Sequence, residues 1–175
     1  MDDFLAPLRA ALSAIAAIAM TLSFVPASDA ASAEEKAVLA SFQAMLDGLG
    51  KRDKAAMMEH LLPGGSATLM RNGKPLQMTF DSLTDRLSQP GPETPEERIH
   101  DAWIRVDGDI AIIWAPFEFL LDGKLDHCGR DIANLVRVDG RWLISSIEDT
   151  RHEDCVRRTT SLPRRGIVTG HAERI

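Results

Sequence analysis

The 175-residue chain contains no tyrosine and only two cysteines. Without a phenol, a side-chain proton donor to a reacting group has to come chiefly from carboxylic acids or imidazoles. Two cysteines exclude a cysteine-rich disulfide scaffold and a four-cysteine zinc site. His60, His100 and His127 lack metal-ligand spacing, and His127 and Cys128, as strand neighbours, point to opposite faces, so no metal is implied. A Gly-rich phosphate loop is also missing: Pro63-Gly64-Gly65 lacks the lysine and reads as a helix stop. The formal net charge of −6 leaves no electrostatic footprint for nucleic acid. No repeat or low-complexity segment interrupts the chain.

The longest apolar run, Ala10–Val25, is shorter than the ~20 residues that span a bilayer, and Pro26 ends it. Small residues at Ala30 and Ala33 then offer cleavage positions, so residues 1–33 read as a secretory signal despite the acidic Asp2 and Asp3. Its removal takes Asp2, Asp3, Asp29 and Arg9 with it and moves the net charge from −6 to −4. The expected destination is the periplasm or the exterior, with no membrane span after cleavage. Residues 34–155, about 120 in number, suit one domain with one core. Residues 156–175 carry Arg157, Arg158, Arg164 and Arg165 without an apolar period and read as a basic, disordered tail.

Asp-Gly between apolar runs signals a tight hairpin, because a primed turn needs positive φ at its centre. Asp107-Gly108, Asp122-Gly123 and Asp139-Gly140 therefore fold residues 99–151 into a four-stranded antiparallel meander. Turning the last hairpin on Asp139-Gly140 places Val138 opposite Arg141, Cys128 opposite Arg151, Asp131 opposite Glu148 and Arg130 opposite Asp149. Cys155 follows four residues after Arg151, within reach of Cys128. In an oxidising compartment a Cys128–Cys155 disulfide would close a loop of roughly 27 residues and contribute ~3 kcal/mol.

Upstream, Ser32 and Glu35 form a candidate capping box for a helix over 32–50, with Val38, Leu39, Phe42, Met45, Leu46 and Leu49 at helical spacing. Asp53 caps a second helix through Met57, Met58 and Leu61. Residues 67–70 and 76–79 form a small hairpin around Asn72-Gly73, and a third helix covers 80–87. Helices before a twisted meander imply an α+β fold, with the helices covering one face of a curved sheet.

This order, the closing strand Gly140-Arg141-Trp142-Leu143-Ile144 and the preceding His127-Cys128-Gly129-x-Asp131 resemble the nuclear transport factor 2-like superfamily. Within it, the likeness is to the SnoaL-like, ketosteroid-isomerase-like bacterial branch, over residues 33–155. The resemblance implies a cone-shaped, strongly curved antiparallel sheet, meander plus small hairpin, wrapped around N-terminal helices. It also implies a pocket at the open end and often a homodimer through the sheet's other face. Members include isomerases, dehydratases, cyclases and non-catalytic modules, so activity does not follow from fold. The steroid isomerases of the superfamily use a tyrosine donor, which this chain lacks.

On the expected register, His127, Asp131 and Glu148 share one face. Two facing carboxylates cannot both ionise cheaply where water is excluded, so one would hold a proton and act as donor or general acid. Trp103 and Trp114 could form an apolar wall, with His100 at the mouth. Three functions remain open: a pocket for a small apolar or amphipathic molecule, a cofactor-free lyase or isomerase using Asp131 and His127 as acid and base, or a non-catalytic dimerisation module. None of them needs a cofactor.

Overall fold

A computed structural model of the protein describes residues 27–155; the expected signal segment up to residue 26 and the basic tail from 156 lie outside the described residues. Helix α1 spans Ala27–Gly50. It starts earlier than the expected cap, because alanines at 27, 30, 31 and 33 are strong helix formers and carry it through Ser32. Its buried stripe is the expected one, with Val38, Phe42, Met45, Leu46 and Leu49 in the core. Glu34 pins the helix to the sheet by accepting from Arg137 Nη1 (2.9 Å) and from the Trp142 indole N–H (3.1 Å). Ser41 adds a hydrogen bond to the Trp142 carbonyl (2.7 Å).

Asp53 caps α2 (Lys54–Met58) by accepting from the Ala56 N–H at 3.0 Å, and Thr79 caps α3 (Phe80–Leu87) by accepting from the Ser82 N–H at 3.2 Å. The strands are β1 (Leu61–Arg71), β2 (Lys74–Thr79), β3 (Pro95–Ile99), β4 (Trp103–Asp107), β5 (Ile110–Leu121), β6 (Lys124–Val138) and β7 (Arg141–His152). They form one sheet in the order β2-β1-β7-β6-β5-β3, with β4 also pairing β5. The sheet is strongly curved and unclosed, and the helices fill its inner side. The small hairpin is not a satellite: β1 joins the meander by pairing with β7 in parallel.

Two registers differ from expectation. The first hairpin turns on Gly108-Asp109, not on Asp107-Gly108, since Asp107 pairs with Ile110. Gly108 has φ +57° at the first central position, the requirement of a type II′ turn, and Asp-Gly-Asp permits either choice. The shift sets Trp103 directly opposite Trp114.

The second difference is a β-bulge. The β6–β7 pairing starts as expected from Val138–Arg141 to Leu135–Ile144, then continues as Asn134–Ser146. Ser145 is the extra residue, and its hydroxyl donates to the Asn134 carbonyl at 3.0 Å. The parallel β1–β7 register breaks at the same place, between Leu61–Ile144 and Ser66–Ser146. There Pro63-Gly64-Gly65 lies within β1 instead of stopping a helix, and Gly64 takes φ +83°. A Cβ on Gly65 would sit 2.6 Å from the Ser145 carbonyl oxygen and would also strike the Phe80 ring. Glycine is what lets β1 close over the bulge.

Gly65→Ala is therefore expected to lower stability by about 1–3 kcal/mol through overpacking against the backbone. Urea unfolding of the variant checks it, and an unchanged midpoint would show that the bulge relaxes freely.

Candidate functional site

A one-residue slip exchanges the faces of a strand. Beyond Ser145, Asp131 faces Asp149, Ala133 faces Ile147, Arg130 faces Thr150, and Cys128 faces His152. The expected pairs Asp131–Glu148 and Arg130–Asp149 are thus both replaced. The site residues divide between two sides of the sheet.

On the inner side, Asp131 is 3% exposed, beside Ala115 of β5. Its partner is Glu97 of β3, which comes across β5 and hydrogen-bonds to it. Glu97 pairs with Phe119 and Asp131 with Ala115, four positions apart on β5, so the curvature of the sheet brings the two acids together. Asp131 Oδ2 is buried and finds no N–H or O–H partner among the described residues, so a carboxyl proton held between the two acids satisfies it. Burial raises Asp131 well above the ordinary range, reinforced by Glu97 and Asp149. Burial likewise pushes Glu97 up to about 7, against the hydrogen bond from Asp131. Arg71 neutralises the third acid through a two-pronged ion pair with Asp149, whose Nη2–Oδ2 arm is 2.7 Å.

His127 is buried on the same side, stacked on Phe119 (centroids 4.7 Å, planes 25° apart) and edge-on to Phe117 (5.8 Å). Its Nδ1 lies 2.7 Å from Asp126 Oδ2, and Arg151 Nη2 reaches the same oxygen at 3.2 Å. Burial lowers its pKa, against the Asp126 contact, so the ring is neutral at pH 7. With Nδ1–H donating to Asp126, Nε2 is left as an acceptor. His127 and Asp131 lie four strand positions apart, about 13 Å along β6, with Gly129 between them under the Phe117 ring.

Sequence reasoning missed Glu97, Arg71 and Asp149 on this side. The alternation Pro95-x-Glu97-x-Ile99 carried a signal, since it puts a carboxylate on a core-facing position next to two apolar residues.

The outer side holds a groove of about 1050 Å³, lined by Trp114, Pro116, Ile132, Met70, Glu148 and His100 among others. Glu148 therefore looks away from Asp131. His100 Nε2 approaches Glu118 Oε2 at 3.3 Å along the groove wall. Trp103 packs under the Arg105 guanidinium, 4.6 Å from its ring centroid, and lies outside the groove. The Cys128–Cys155 disulfide, with Cα atoms 5.7 Å apart, closes one end. No group of three or more potential metal ligands occurs among the described residues.

A strongly curved, unclosed α+β sheet around N-terminal helices is the architecture of the nuclear transport factor 2-like superfamily. Within it the chain belongs to the family described as "Putative lumazine-binding", which matches residues 33–146. No curated protein matches the sequence. Solved structures share the fold at low identity. A protein of unknown function from Mycobacterium tuberculosis is 16% identical, with a TM-score of 0.62 over 72% of this chain and 76% of that one. A nuclear transport factor 2-like protein of unknown function from Silicibacter pomeroyi is 19% identical, with a TM-score of 0.56 over 69% and 98%. A structure from Novosphingobium aromaticivorans titled "Putative Scytalone Dehydratase" is 13% identical, with a TM-score of 0.60 over 71% and 88%.

The acid pair sets a pH dependence. An acid whose pKa is higher folded than unfolded makes the native state bind the extra proton, so stability falls as pH rises from about 4.5 to about 7. His127, with a lowered pKa, acts oppositely: its burial costs stability only as pH drops below its ordinary value of 6.5. Asp131→Asn removes Asp131's share of the first slope, leaves the share that burial gives Glu97, and keeps the second slope. Relative to wild type it should gain roughly 1–3 kcal/mol between pH 5 and pH 8 in urea unfolding. Parallel pH profiles for the two proteins would dismiss the shared proton.

Proposed function

We propose that the protein binds a small, planar, amphipathic molecule in the outer groove. The observation that carries this is the groove's make-up: apolar walls from Trp114, Pro116, Ile132 and Met70, with His100, Glu118 and Glu148 as a few placed polar groups. Its volume of about 1050 Å³ lies at the upper end of small-molecule sites. The family description names lumazine, a flat heterocycle, which makes lumazine the first probe. The disulfide fits an oxidising compartment, and no helix among the described residues is long and apolar enough to cross a membrane. The disulfide supports export of the chain to the periplasm or beyond, with residues 1–33 removed. The exposed Trp103, Ile110 and Val138, outside the groove, share the outer face and support a homodimer through it.

A second reading rests on one separate feature, the raised Asp131–Glu97 acid pair and the neutral His127 on the same face of β6, about 13 Å apart. It is a cofactor-free lyase or isomerase at the cone mouth, with Asp131 as proton donor and His127 as acceptor.

Thermal shift with lumazine and a panel of planar heterocycles separates the readings. Ligand at 100 times its Kd adds about 2.7 kcal/mol and raises Tm by several degrees. The groove reading expects Trp114→Ala to abolish this shift and Asp131→Asn to leave it intact. The reverse pattern would move the site to the cone mouth, and no shift in wild type would defeat both.

A further inference from the structure

Arg130 is the one arginine or lysine lining the groove, and it forms no ion pair among the described residues. The bulge at Ser145 turns Asp149 to the inner side, where Arg71 takes it, and puts Thr150 opposite Arg130 instead. The Thr150 hydroxyl accepts only from the Arg130 backbone N–H, at 3.0 Å. Arg130 Nη1 is buried and has no hydrogen-bond partner among the described residues, and the guanidinium forms no ion pair there. Arg130 is half-buried, and a guanidinium donor left unmet there carries a desolvation penalty that an anion in the groove relieves. Of the acids lining the groove, Glu118 is met by His100 and Asp149 by Arg71, while Asp101 and Glu148 form no ion pair among the described residues. Glu148 lies opposite Ile132 and one diagonal step from Arg130.

We propose that the groove selects a planar monocarboxylate, its carboxylate on the Arg130 guanidinium and its flat apolar body against Trp114. The arrangement is specific for single charge. One carboxylate answers Arg130, while Glu148 repels the second charge of a dianion such as a phosphate monoester. The inference rests on the groove being the binding site, and names the class of ligand.

The test uses three probes with one ring system: 1-naphthoate, neutral 1-naphthalenemethanol and 1-naphthyl phosphate, titrated at pH 7.5 while Trp fluorescence is followed. The expected order is naphthoate tightest, with the alcohol and the phosphate each at least about tenfold weaker. Arg130→Gln should weaken naphthoate by about tenfold or more and change the alcohol less than about twofold. Arg130→Lys, which keeps the charge without the planar fork, should fall between them and covers the case in which the glutamine variant does not fold. Equal binding of naphthoate and alcohol, or an Arg130→Gln variant that weakens both alike, overturns the carboxylate assignment and leaves the groove as a site. Preference for the phosphate overturns the single-charge rule. If no probe binds, and sedimentation shows a dimer that Trp114→Glu dissociates, the face belongs to a second copy and both readings fall.

Discussion

One residue too many in β7 governs the functional geometry. Ser145 has no partner on β6, so every pair beyond it is displaced by one, and every side chain beyond it changes face. The displacement is held from both sides. Asn134 receives the Ser145 hydroxyl, while β1 shifts its own register at the same point through Gly64 and Gly65. Asp149 consequently enters the cone to meet Arg71, Glu148 leaves it, and Arg130 stays outside without a carboxylate.

The inner cluster follows from how a closed-in sheet treats charge. Glu97 and Asp131 meet where burial makes ionisation expensive, with Asp149 beside them. Arg71 neutralises Asp149, and a shared proton relieves the other two. His127 meets the same condition differently: sandwiched by phenylalanines and oriented by Asp126 and Arg151, it gives up its charge. The inner face of β6 thus carries a carboxyl whose pKa burial raises and an imidazole whose pKa burial lowers, four strand positions apart.

The outer groove is built from the other half of the same alternation. Trp114, Pro116, Ile132 and Glu148 face outward because Ala115, Ala133 and Ile147 face inward. The disulfide from Cys128 ties the chain end back along this face, and closing its loop contributes about 3 kcal/mol. The two sites share β6, so their residues alternate along it: His127 and Asp131 inside, Cys128 and Arg130 outside.

Local chemistry alone determined the helices, the hairpin turns at Asn72-Gly73, Asp122-Gly123 and Asp139-Gly140, the meander, and the pairing of Cys128 with Cys155. Each depends on φ preference, apolar period or short sequence distance, which are written in consecutive residues. Asp107-Gly108-Asp109 already shows the limit, since both turn choices satisfy the same local rule. A bulge has still less local signature: Ser145 is extra only because β1 and β6 together demand it. The parallel β1–β7 pairing, the approach of Glu97 to Asp131 across β5, and the stranding of Arg130 all depend on distant segments meeting. Parity along one strand was legible in the sequence. Which parity faced the helices was decided only when three strands came together.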